Sequence, residues 1–158
     1  MELKQGDIIP SLILKDKYRN EFKLDQFRGK QPVVVYFYPR NFTPGCTTEA
    51  CDFRDQYQDF KDLGAEVIAI SSDSSDSHSK FSKEYNLPFI FLSDENKVAR
   101  KAFGVKSSLL GMVPGRETFV FDKKGELKMR YNSLSASNHT SNALKTLKDL
   151  KREDQGSN

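Results

Sequence analysis

The chain has 158 residues, of which 37% are hydrophobic and 30% charged, and its formal net charge is +3. That length suits one domain with a core large enough to need no disulfide staples. The net charge is too small, and the basic residues too interspersed with acidic ones, for a stripe that tracks a phosphate backbone, and no apolar run approaches membrane-spanning length.

Near the amino terminus, Met1 to Asp7 lacks the apolar core of a signal peptide, which predicts a cytoplasmic protein, or an organellar one if a transit peptide has been removed. Apolar stretches at Leu12–Leu14 and Phe22–Leu24 flank a polar turn and predict a small hairpin; Asp25–Lys30 reads as one helical turn stopped by Gly29. After Pro32, the run Val33–Tyr38 is apolar at successive positions. Such a strand is buried on both faces and lies in the middle of a sheet covered by helices.

From Thr43 to about Leu63 the spacing predicts a helix, ended by Gly64. Thr43 is placed to cap it through the side-chain oxygen, and Pro44 suits the first helical position because its missing N–H has no partner there. Cys46 then falls in the first turn, where unpaired N–H groups and the positive end of the helix dipole favour a thiolate. Steps of three and four residues put Ala50, Phe53, Tyr57 and Phe60 on the face of Cys46, which turns inward. Cys51 lies instead with Arg54, Asp55, Gln58 and Asp62 on the polar side.

A second buried strand is predicted at Glu66–Ile70, followed by a serine-rich loop and a helix capped at Asp76 or Ser77 that carries Phe81 and Tyr85. A strand at Phe89–Leu92, a helix from Glu95 to Phe103 stopped by Gly104, and a loop over Ser107–Gly115 come next. Thr118–Phe121 and Glu126–Tyr131 around the turn Asp122–Gly125 form a hairpin, and the last helix spans about Asn138–Leu150. Lys151–Asn158 carries no apolar anchor and is expected to be a disordered tail, so residues 1–150 make a single domain. The fold class is α/β, a mixed sheet flanked by helices with an N-terminal hairpin extension, and ligands in such folds gather at the carboxyl ends of the strands.

A thiolate held just past the end of the core strand suits attack on the weak O–O bond of a peroxide, which leaves a sulfenic acid. Charge on the departing oxygen needs donors: the N–H groups of the Thr43–Cys46 turn, the Thr43 hydroxyl and a cation, for which Arg116 after Pro114-Gly115 is the candidate. Cys46 and Cys51 are five residues apart, which on an intact helix is a rise of about 7.5 Å and a rotation of roughly 140°. A disulfide tolerates α-carbons only up to about 7 Å apart. Joining these two cysteines therefore requires the first turns of the helix to unwind.

The residues Pro39-x-x-x-Thr43-x-x-Cys46, Thr47-Thr48-Glu49-Ala50-Cys51 and Arg116-Glu117-Thr118 resemble a peroxiredoxin, closest to the peroxiredoxin Q or bacterioferritin comigratory protein branch. Phe53-Arg54-Asp55, Gly64-Ala65, Ser77-His78, Leu87-Pro88-Phe89 and Leu92-Ser93-Asp94 extend the likeness through the chain. The resemblance implies a thioredoxin-like fold and an antioxidant thiol peroxidase acting on hydrogen peroxide and organic hydroperoxides. It further implies Cys46 as peroxidatic cysteine, Cys51 as resolving cysteine in an intramolecular disulfide, and Pro39, Thr43 and Arg116 as the rest of the site. Thioredoxin, or a glutaredoxin-like protein, is the implied reductant; no metal or other cofactor is used, and the branch is mainly monomeric. Arg40-Asn41 stands where Lys-Asp is common in the branch, and no Gly-Gly-Leu-Gly segment or carboxy-terminal Tyr-Phe pair is present, which implies resistance to over-oxidation.

Against this stand two other classes, a thiol–disulfide oxidoreductase, whose usual Cys-x-x-Cys is absent, and a non-enzymatic redox sensor. His78 and His139 read as surface residues without zinc-site spacing, Met112 and Val113 as loop packing or, alternatively, a rim on the peroxide pocket, and the serine run 71–77 as a solvated loop. Glu49 either pairs with a nearby arginine or favours the helix start electrostatically.

Overall fold

The computed structural model describes residues 3–106 and 115–156. In chain order these form β1 (Ile13–Asp16), β2 (Glu21–Lys23), β3 (Val33–Phe37), α1 (Pro44–Asp55), α2 (Tyr57–Asp62), β4 (Glu66–Ser71) and α3 (Ser75–Glu84). There follow β5 (Ile90–Ser93), α4 (Val98–Phe103), β6 (Glu117–Phe121), β7 (Leu127–Asn132) and α5 (His139–Gly156). The strands make one mixed sheet in the order β2-β1-β5-β4-β3-β6-β7. β3 runs parallel to β4 and antiparallel to β6, β4 and β5 are parallel, and β1 joins antiparallel at β5. This is the thioredoxin-like arrangement, with the β1–β2 hairpin as its N-terminal extension.

β3 is buried along its whole length, as its unbroken apolar run requires when both neighbours are occupied and both faces covered. Alternation along the strand sends Val33, Val35 and Phe37 to one face, among Ile68, Ile70, Phe103 and Phe119. Val34 and Tyr36 point to the other face, where α1, α2, α3 and α5 supply Cys46, Phe53, Phe60, Phe81 and Leu147. The Phe53 ring stacks on Tyr36 with centroids 4.3 Å apart. Burying a ring of that size contributes about 2–3 kcal/mol, so this contact docks the helix that carries Cys46 onto the central strand.

Several boundaries differ from expectation, each for a local reason. The single helix expected over Thr43–Leu63 is two helices, because Gln56 leaves the helical basin with ψ 5° and turns α2 so that Phe60 enters the core. Asp25–Lys30 is a series of β-turns, with Arg28 N–H donating to the Asp25 carbonyl and Lys30 N–H to the Phe27 carbonyl, and not a helical turn; the chain reverses at Gly29 with φ 82°. α3 is capped by Ser74, whose hydroxyl accepts the Ser77 N–H. α4 starts at Val98, not Glu95, since the Asp94 carboxylate accepts the N–H groups of Ala99 and Arg100, each at 2.9 Å. α5 continues through Gly156, six residues beyond Leu150, where a disordered tail was expected. Lys151–Gln155 are tolerable helix formers extending a helix already nucleated by the packing of Ala143, Leu144 and Leu147. Met112, Val113 and the loop over 107–114 lie outside the described residues.

Candidate active site

The carboxyl end of β3 and the start of α1 are joined by Tyr38–Thr43, and this loop is tied to α3 from inside. Asn41 is buried; its N–H donates to Asp73 at 2.9 Å, and its side-chain amide donates to Ser77 Oγ at 3.1 Å and lies 3.0 Å from His78 Nδ1. The Tyr38 hydroxyl donates to Asn41 Oδ1. An aspartate at 41 would set a second carboxylate beside Asp73; the amide instead supplies donors to Ser77 and His78. Phe42 then adopts φ 66°, a left-handed turn costly for an aromatic residue, with its ring held against Phe81.

Thr43 occupies the N-cap position of α1, and Pro44 the first helical position. Contrary to the cap that the sequence predicts, the Thr43 hydroxyl does not cap the helix: it donates to the Arg40 carbonyl at 2.9 Å, closing the turn before the helix. The capping amides are left for another acceptor. Cys46 sits in the first turn with 1% of its surface exposed, on the buried face with Ala50 and Phe53, while Cys51 is half-buried. Both thiols are free, and α1 runs unbroken through both. Pro39 is half-buried at the root of the loop.

Arg116, immediately before β6, reaches across to this turn. Its Nη2 donates to Cys46 Sγ at 3.3 Å, its Nη1 to Glu49 Oε1 at 2.6 Å, and its Nε to the Leu134 carbonyl at 2.9 Å. Three acceptors in the plane of one guanidinium hold it in a single orientation. Burial opposes its charge, but Glu49 and Cys46 more than offset this and raise its pKa. Room for the guanidinium comes from Gly45, where a Cβ would lie 3.2 Å from Nη2. Arg100 anchors the same two segments from the opposite side, donating to the Gly115 carbonyl at 2.9 Å and to the Tyr38 carbonyl at 3.2 Å.

Glu49 is fully buried, and burial pushes its carboxyl up to about 8 against the pull of Arg116. His139, the first residue of α5, is buried beside it, and His78 is buried under Tyr38 and Phe91, so both histidines read as surface residues are interior ones. Burial lowers both, His78 to about 4. A signal was available for each. His78 stands three residues before Phe81, and His139 four before Ala143, so both share the apolar face of their helix.

The resulting site is a buried sulfur at a helix start, facing a fixed guanidinium and free backbone donors. It can stabilise negative charge on the sulfur and on an oxygen placed against it. Residues 5–130 match the AhpC/TSA family. The chain is 50% identical over 151 residues to the chloroplastic peroxiredoxin Q of Sedum lineare, covering 95% of this chain and 81% of that protein. The crystal structure of peroxidoxin BcpB from Mycobacterium tuberculosis superposes with a TM-score of 0.86 at 34% identity, covering 94% of this chain and 99% of that one. The bacterioferritin comigratory protein of Xanthomonas campestris, studied for its alkyl peroxide reduction, gives 0.81 at 29% identity over 88% and 91% of the two chains. The chain thus belongs to the AhpC/TSA family, in its peroxiredoxin Q and Bcp branch, and is a thiol peroxidase that takes a peroxide as substrate and a thiol as reductant.

Proposed function

We propose that Cys46 is the peroxidatic nucleophile and that Arg116, Thr43 and Pro39 complete the peroxide site. The observation that carries this reading is the hydrogen bond from Arg116 Nη2 to Cys46 Sγ, which sets a fixed positive charge against a buried sulfur. The thiolate attacks one oxygen of ROOH, an S–O bond forms as O–O breaks, and the alkoxide or hydroxide leaves and takes up a proton as ROH or water. The sulfur is oxidised by two electrons to sulfenic acid and the peroxide is reduced by two. Arg116 and the free N–H groups of the turn hold the charge that develops on the leaving oxygen. Thr43, its hydroxyl spent on Arg40, shapes the turn and leaves those N–H groups open.

Cys51 then attacks the Cys46 sulfur, releasing water and forming an intramolecular disulfide. Because α1 holds both residues in one helix, this step requires its first turns to come apart. A dithiol protein of the thioredoxin class, or a glutaredoxin-like one, exchanges with the disulfide and restores both thiols. Hydrogen peroxide and organic hydroperoxides are the substrates, and the working unit is a monomer. The compartment is read as the cytoplasm, with an organelle as the alternative that the chloroplastic plant relatives suggest.

The test is thioredoxin-coupled peroxide reduction by wild type, Cys46→Ser and Cys51→Ser. Cys46→Ser should abolish peroxide consumption, and Cys51→Ser should consume one equivalent and then stop turning over with thioredoxin. Full turnover by Cys46→Ser would refute the assignment.

A further inference from the structure

Only one of the two oxygens of buried Glu49 is satisfied. Oε1 accepts from Arg116, whereas Oε2 has no hydrogen-bond partner among the described residues, and the group it faces is Nδ1 of His139 at 3.6 Å. The His139 ring, with no exposed surface, has its tautomer set by its own partners. Nε2 lies 3.0 Å from the Ser133 carbonyl, which can only accept, so the ring proton is on Nε2. Nδ1, 2.8 Å from Thr118 Oγ1, is then the acceptor and the hydroxyl donates to it. Oε2 of Glu49 consequently faces a ring nitrogen that carries no N–H, its lone pair already engaged by the Thr118 hydroxyl.

An ionised carboxylate in that place would leave one charged oxygen buried without a donor, which is costly. Counting charges leads the same way. Among the described residues the cluster holds one cation, Arg116, and two acids, Cys46 and Glu49, so one buried negative charge is balanced and two are not. The other described groups facing Glu49 do not offer a positive charge. Asp52 on its own helix opposes its ionisation, Tyr36 from β3 and Tyr38 just after it are held neutral by burial, and burial keeps His139 on α5 neutral. Around His139 itself are Thr118, the Ser133 carbonyl, Arg116 and the edge of the Tyr131 ring, 4.8 Å between centroids.

We propose that His139, locked by Thr118 and Ser133 as a neutral ring that presents no N–H to Glu49, is a positioning residue that keeps Glu49 in the carboxylic acid form and so leaves the Arg116 charge to the Cys46 sulfur. It acts through Glu49 and Arg116 and does not touch the sulfur. This rests on Cys46 being the reacting thiol.

The test uses two readouts on the full chain in the Cys51→Ser background. Infrared difference spectroscopy should show a protonated carboxyl stretch near neutral pH that disappears in Glu49→Gln and is lost in His139→Gln, whose amide can donate to Oε2. Alkylation of Cys46 by iodoacetamide should slow roughly tenfold at neutral pH in His139→Gln, with its pH profile moved upward, as Glu49 ionises and competes for Arg116. In Glu49→Gln, adding His139→Gln should move that profile no further. Absence of the protonated carboxyl in the protein with His139 intact overturns the proposal without needing any His139 variant to fold, and so does an equal effect of His139→Gln with and without Glu49. Failure of the underlying reading is seen separately, as full peroxide turnover by Cys46→Ser.

Discussion

The guanidinium of Arg116 donates to the sulfur of Cys46 across 3.3 Å, joining the start of β6 to the first turn of α1 although 70 residues separate them in the chain. Two further bonds, to Glu49 and to the Leu134 carbonyl, fix the angle at which it does so.

Arg116→Lys keeps the charge and loses the fork. A single ammonium cannot serve sulfur, carboxyl and carbonyl together, so the second-order rate of peroxide reduction should fall about 100-fold, the usual loss when a donor to a developing oxyanion is removed. Stopped-flow measurement of the oxidation step checks this. An unchanged rate would show that the charge alone suffices.

Gly45→Ala separates activity from stability. Its Cβ would meet Arg116 Nη2 at 3.2 Å, while alanine is the better residue inside a helix. Peroxide reduction should drop on the order of tenfold from the displaced guanidinium, with the melting temperature unchanged or slightly raised. A fall in both together would point to general disruption of the turn.

Oxidation should unfold the start of α1. Hydrogen exchange of residues 43–51 should be slow with the thiols free and accelerate on treatment with one equivalent of peroxide, and the far-ultraviolet helical signal should decline. Cys51→Ser, which forms a sulfenic acid and no intramolecular disulfide, should keep its protection. Retained protection in the oxidised wild type would exclude a Cys46–Cys51 bond within an unwound helix.

His78 should make the protein acid-sensitive. Burial lowers its folded pKa to about 4, below the unfolded value of 6.5, so the unfolded chain binds the extra proton first as pH falls. The stability tied to its neutral ring is fully present above pH 6.5 and is lost as pH falls toward about 4, amounting to roughly 3 kcal/mol. Urea unfolding at pH 7 and pH 5 should therefore differ less in His78→Asn than in wild type. Because His78 lies beside Asn41, the same acidification should loosen the loop that carries Phe42 and Thr43.

Much of this was legible from local pattern. The unbroken apolar run of β3 announced a central strand because a chain buried on both faces has no polar side to alternate. Pro44 at the first helical position, and the three- and four-residue steps from Cys46 to Ala50 and Phe53, placed the sulfur inward because helix geometry is local. Arg116 could be nominated as the cation, but its distance, its angle and its second bond to Glu49 depend on β6 lying antiparallel beside β3, which no local pattern specifies. The Thr43 hydroxyl turned to Arg40 for a similar reason: capping chemistry allows both choices, and the turn made by Asn41 and Phe42 selects one.

By itself, then, the sequence determined the strand, the helix start and the inward thiol, all consequences of periodicity and of residues with restricted backbone choices. Only the tertiary structure decided what surrounds that thiol. Burial of Glu49, His139 and His78 depends on which helix packs on which strand, and with burial comes the removal of water that turns ordinary acids and bases into groups whose protonation is set by their neighbours.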